Sequence, residues 1–112
     1  MINITHYYLD ANRAREIEQE TQTIKANMIL SFNDFESVIL DIDDLIVNRA
    51  QHEENELTLG EDKIKELLRK QSFDFSNFTY LQYLEAIKIH YENYDFQAVI
   101  IDSAIKISWK KL

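Results

Sequence analysis

The stretch YDFQAVIIDSAIKISW, Tyr94–Trp109, decides the fold. Phe96, Ile100, Ala104 and Ile107 recur at steps of three and four, flanked by Ile101, Ile105 and Trp109. That spacing predicts a helix. Asp95 stands where an N-cap belongs, Tyr94 and Val99 form a staple pair, and Lys110 and Lys111 complement the dipole at the far end. A short link, Glu92–Asp95, separates it from the preceding periodic segment, so the two should form a C-terminal αα-hairpin.

Composition points the same way. Sheet proteins commonly turn on Asn-Gly, Asp-Gly or Pro. The chain has one glycine, Gly60, and no proline in 112 residues. Working toward the N-terminus, Thr79 and Gln82 have capping-box spacing, with Phe78 and Tyr83 as staple. Leu81, Leu84, Ile87 and Tyr91 line one face of that fourth helix. A short third helix opens on Thr58-Leu59-Gly60-Glu61, a capping-box spacing, with Asp62 in its first turn and Arg69 and Lys70 in its last. Residues 52–60 before it read as a loop. The second helix begins near Ser31, which as N-cap puts Asp34 at N3. It buries Phe35, Val38, Ile39, Ile42, Leu45, Ile46 and Ala50.

The first helix runs from about Asp10, or as early as Thr5, to about Ile29. Tyr7, Ala14, Ile17, Thr21, Ile24 and Met28 form one narrow stripe on it. A stripe this thin suits a helix packed on one side, or one that pairs with a copy of itself as a homodimer. The expected fold is all-α, a compact helical bundle of four to five antiparallel helices in a single domain, residues 1–112.

Within Tyr94–Ile107, residues Tyr94, Ala104, Ile105 and Ile107 resemble the second helix of a tetratricopeptide repeat. Glu92 and Gln97 stand where that pattern has small residues, and no second copy follows, so no family is assigned.

Charge is the other informative feature. The chain nets −8, and residues 34–62 alone net −9, with ten acids against Arg49. Asp34, Ser37, Asp41, Asp44 and Asn48 follow steps of three and four, on the face of the second helix away from its core side, with Leu40 and Val47 beside them. Glu53, Glu54 and Glu56 trail its C-terminal end, where acids oppose the dipole. An acidic face edged by aliphatic side chains suits a cationic protein surface, because charge steers while apolar area supplies affinity. The competing reading is a solvated face, with Leu40 and Val47 buried because the helix is central.

Several classes are set aside. There is no cysteine, hence no disulfide, thiol nucleophile or Cys-ligated zinc. His52 with Glu56, and Asp41 with Asp44, have helical spacing without any metal-binding motif, so no metal or other cofactor is expected. His6, His52 and His90 lack partners at catalytic spacing. Bundle ribonucleases of the HEPN type carry Arg four to six residues before His; here Arg49 precedes His52 by three. The bases Lys63, Lys65, Arg69 and Lys70 are interleaved with acids and read as a solvated face rather than a nucleic-acid site. The aromatic run Phe73, Phe75, Phe78, Tyr80 and Tyr83 reads as a plug for one end of the bundle, with a contact patch as the alternative. No signal peptide or membrane span is visible, and a cytoplasmic protein is expected. The expected function is a non-enzymatic acidic binding protein that occludes a basic surface on a macromolecular partner, such as a toxin or nuclease. An immunity protein, an antitoxin or a phage-type inhibitor works this way. The alternative is a structural helical module, a homodimer through the first helix or a subunit of an assembly.

Overall fold

A computed structural model describes residues 10–111, and it is not all-α. Four helices, α1 (Ala11–Leu30), α2 (Asn33–Gln51), α3 (Glu61–Lys70) and α4 (Tyr80–Glu92), accompany three strands, β1 (Glu56–Leu59), β2 (Gln97–Ile101) and β3 (Ala104–Ser108). The strands form an antiparallel sheet in the order β1-β3-β2. The expected C-terminal αα-hairpin is therefore replaced by α4 followed by a β-hairpin, and the loop expected over 52–60 contains β1.

Two features of the chain account for the difference. Ile105 and Ile107 alternate with Ala104, Lys106 and Ser108, while Leu57 and Leu59 alternate with Glu56 and Thr58; this is the period of a half-buried strand. In the ladder, Leu57 pairs with Ile107 and Leu59 with Ile105, and Ala98 lies across from Ile107 on the other side. All five are buried. The second feature is left-handed backbone at residues other than glycine. Asp102, at φ 55°, turns the two-residue link between β2 and β3. The Tyr80 hydroxyl donates to the Ser103 carbonyl at 2.6 Å and holds that turn against the first turn of α4.

Helices α2, α3 and α4 end alike. Glu53 and Ser72 sit at φ 62° and 64° one residue past their caps, and Asp95 at φ 69° two residues past Asn93. Their N–H groups reach Ala50, Arg69 and Glu92, and the next N–H in each case reaches Arg49, Leu68 and Tyr91, at 2.9–3.2 Å. These are Schellman closures, usually built on glycine. Asp95 thus ends α4 rather than starting another helix. The contact that accompanies the closure is Phe96 on Tyr91 for α4, with ring centroids 5.3 Å apart, and an Arg49–Glu54 ion pair of 2.6 Å for α2.

Other local readings resolve individually. Thr79 caps α4 in a complete capping box with Gln82, and Phe78 stacks edge-on against Tyr83. Ser31 is not the N-cap of α2: its hydroxyl bonds back to Met28 O at 2.6 Å, and Phe32 holds the cap position with no side-chain bond. Thr58 lies in β1, so α3 starts from Gly60 without a side-chain cap. Asp10 caps α1 by accepting from Arg13 N at 2.8 Å. Tyr7, His6 and a start at Thr5 lie outside the described residues.

The core lies where α2, α4 and the inner face of the sheet meet, around Phe35, Ile42, Leu84, Ile87, Tyr91 and Ile105. Helix α1 packs against α4 and α2 only through its C-terminal part, where Ala26 and Ile29 are buried. Every residue from Ala11 to Thr21 is exposed. The molecule consequently extends 66 Å along its longest axis, with a radius of gyration of 17.0 Å; a compact chain of this length has about 13 Å.

Candidate functional site

Helix α2 carries most of the sequence-derived site. Its core side holds Phe35, Val38, Ile39, Ile42 and Ile46, all buried, with Leu45 half-buried; Ala50, expected among them, is exposed in the last turn. The opposite side presents Leu40 and Val47, 54% and 53% exposed, with exposed Asp44 and Asn48 between and beside them. Helix position alone thus leaves both aliphatic side chains in water, against the expectation that a central helix would bury them. Asp44 enters no ion pair among the described residues.

The remaining carboxylates are dispersed or paired. Asp41 is half-buried and meets Lys70 of α3 at 3.4 Å. Glu54 is tied to Arg49, and Glu56 meets Lys106 across the sheet at 3.6 Å. Glu56 belongs to β1 and alternates with the buried Leu57, so it lies on the outer face of the sheet rather than beside α2. Glu53 is exposed in the left-handed turn. Asp34, in the first turn of α2, borders a 520 Å³ open cavity with Phe32, Phe73, Asp74, Ser76 and Tyr83. The structure brings Leu40, Asp44, Val47 and Asn48 together; it does not bring Asp34 or Glu56 to them.

Aromatic packing closes the end of the molecule near that cavity. Phe35, Phe73, Phe78 and Tyr83 form edge-on and stacked pairs with centroids 5.7–6.3 Å apart. Phe75 stays exposed, with Lys65 5.8 Å above its ring. The Asp74 carboxyl accepts from the Ser76 hydroxyl at 2.6 Å and the Ser76 N–H at 3.0 Å, and these bonds hold it below the ordinary carboxylate range. Among the bases of α3, Lys63 pairs with Glu66 and Lys65 with Glu61 within the helix, while Lys70 reaches across to Asp41 of α2.

A second groove escaped sequence reasoning. Glu36, Leu40, Asp43, His90, Tyr91 and Tyr94 line a 370 Å³ cavity between α2 and the end of α4. The Tyr91 hydroxyl donates to Asp43 Oδ1 at 2.7 Å and also approaches Ile39 O at 3.3 Å. Burial, reinforced by the Asp43 bond and charge, pushes that phenol far above its ordinary value. Burial lowers the His90 imidazole, with Asp43 opposing the shift. No spacing in the sequence joins residues 43 and 91, and a buried tyrosine on an apolar stripe reads as core. Its hydroxyl is the one part with a use at the surface, since it orients Asp43 at the groove's edge.

Among the described residues, no three His, Asp or Glu side chains gather as a metal site, and no helix is long and apolar enough to cross a membrane. Set against models of protein families, curated proteins and solved structures, the chain matches none of them.

Proposed function

We propose that this chain is a non-enzymatic binding protein whose α2 face occludes a basic surface on a macromolecular partner in the cytoplasm. One observation carries this reading: Leu40 and Val47 stand exposed on either side of Asp44, which has no ion-pair partner among the described residues. An exposed aliphatic pair around a free carboxylate supplies both parts of a contact, apolar area for affinity and charge for orientation. Glu36 and Asp43 extend the negative edge toward the Tyr94 groove. The working surface is smaller than the acidic count suggests, because Asp41, Glu54 and Glu56 spend their charge within the molecule.

The test is affinity and salt dependence for a partner purified from source cells on the immobilised chain. Asp44→Lys combined with Leu40→Ala should weaken binding by more than about tenfold, near 1.4 kcal/mol, and flatten the salt dependence. Glu54→Gln and Glu56→Gln should leave affinity within a few-fold. Equal affinity and equal salt slope in the Asp44→Lys, Leu40→Ala variant would remove the reading.

A second reading, a structural module that assembles with copies of itself, draws support from the apolar stripe that α1 leaves in solvent.

A further inference from the structure

Helix α1 uses two opposite faces, and only one is occupied. Ala26 and Ile29 bury against the body of the molecule. On the other side Ile17, Ile24 and Met28 are 42%, 60% and 49% exposed. With Ala14 and Thr21 they run at alternating steps of three and four, a heptad seam with Ala14, Thr21 and Met28 at a and Ile17 and Ile24 at d. In that register Ala26 falls at f and Ile29 at b, on the side of the helix opposite the seam. The body therefore leaves the seam open along the whole described helix. Thr21 is prepared for an apolar layer, since its hydroxyl already donates to Ile17 O at 2.8 Å and its methyl is what remains.

The charges beside the seam say what covers it. Arg13 and Glu20 occupy g; Glu18 and Lys25 occupy e. When two such helices lie parallel and in register, each g residue meets the e residue of the next heptad on its neighbour. Arg13, which lies 3.1 Å from Glu16 and 3.5 Å from Glu20 on its own helix, then exchanges these exposed pairs for Glu18 of the neighbour, and Glu20 faces Lys25, so both charged crossings join opposite signs. The best antiparallel register, which sets Thr21 against Ile24, keeps only the Glu18–Lys25 contacts. From this we infer that α1 pairs in parallel, in register, with copies of this same chain. This rests on the self-assembling reading above and specifies its geometry. A free helical segment as short as Ala11–Thr21 is marginal in water; burial of the seam is what holds it. Isoleucine at d pushes parallel coils toward more than two strands, so the assembly contains two or more copies.

The experiment combines sedimentation with cysteine cross-linking, which is clean because the chain has no cysteine. Wild type should sediment as an assembly. Ile17→Glu with Ile24→Glu should sediment as a monomer with unchanged near-ultraviolet dichroism, both sites being exposed. Ala14→Cys and Thr21→Cys, made separately, should each form a disulfide-linked dimer under mild oxidation, because only the parallel register brings both positions against their own copies. Glu20→Lys should weaken assembly several-fold, and Lys25→Glu added to it should restore the loss. An assembly in which neither cysteine cross-links, or only one does, overturns the parallel geometry and leaves self-assembly standing. A wild-type monomer at millimolar concentration overturns both.

Discussion

Tyr91 shows how much one side chain can do in this molecule. Its ring fills the space between α2, α4 and Phe96, while its hydroxyl crosses to Asp43 and Ile39. Removing the hydroxyl takes from Asp43 Oδ1 its buried donor, at about 1–2 kcal/mol. Its titration gives a sharper test. An unfolded tyrosine ionises near pH ~10. In the folded chain Tyr91 stays neutral well past that point, and Tyr80 is raised to about 12, first by burial and then by Glu61 and Asp62. Above the unfolded value, the unfolded chain binds fewer protons than the folded one, so stability is full below it and falls as pH rises. Urea unfolding should show a declining midpoint through this alkaline range, and Tyr91→Phe should decline less steeply. Parallel declines in wild type and variant would mean that the phenol is accessible to hydroxide. His90 works in the other direction, since burial disfavours its cation; the stability it contributes as a neutral ring is lost as pH falls below the unfolded value of ~6.5.

At the scale of elements, the chain closes its helices without the residue that usually does so. An L-residue in left-handed conformation costs about 1–2 kcal/mol relative to glycine, partly offset by glycine's greater freedom in the unfolded state. Glu53→Gly, Ser72→Gly and Asp95→Gly should each stabilise by about 0.5–1 kcal/mol in chemical denaturation. Three neutral or destabilising results would mean that the side chains recover the strain through contacts. This habit also explains where the sequence misleads. The scarcity of glycine argues against tight turns only if other residues decline to make them, and Asp95 and Asp102 do make them. Asp95 has the same chemistry as an N-cap, so nothing local separates the two roles. The run Ala98–Ile101 is apolar on both faces and fits either period. The alternation around Ile105 and Ile107, and around Leu57 and Leu59, was the readable strand signal. The capping box at Thr79 and the core face of α2 were readable because each depends on residues within one or two turns. The pairings Asp41–Lys70 and Glu56–Lys106 were not, because they depend on how distant elements cross.

The whole molecule divides into a packed body and a projecting helix. Ile107 sits fully buried in the central strand, between both neighbouring strands, while Ile24 stands in solvent on α1. Ile107→Ala should cost about 3–4 kcal/mol, a large share of a total near 5–15 kcal/mol. Ile24→Ala should change the denaturation midpoint little in the dissociated chain. Equal losses would contradict the division. The outward side of α2 belonged to the readable part, since its residues share one helix; the split of the acidic segment into paired and free carboxylates did not.

The β1–β3 ladder has a kinetic corollary. Glu56 pairs with Ser108, and Trp109 N–H reaches Asn55 O at 3.0 Å, so closing that seam joins segments with α3, α4 and β2 strung between them. The hairpin of β2 and β3 needs only a two-residue loop and can form in microseconds. Long-range closure is entropically costlier and slows folding. The sole tryptophan, beside Phe96 and one residue beyond the ladder, is thus placed to report the late step: its fluorescence should lag the appearance of helical dichroism during refolding.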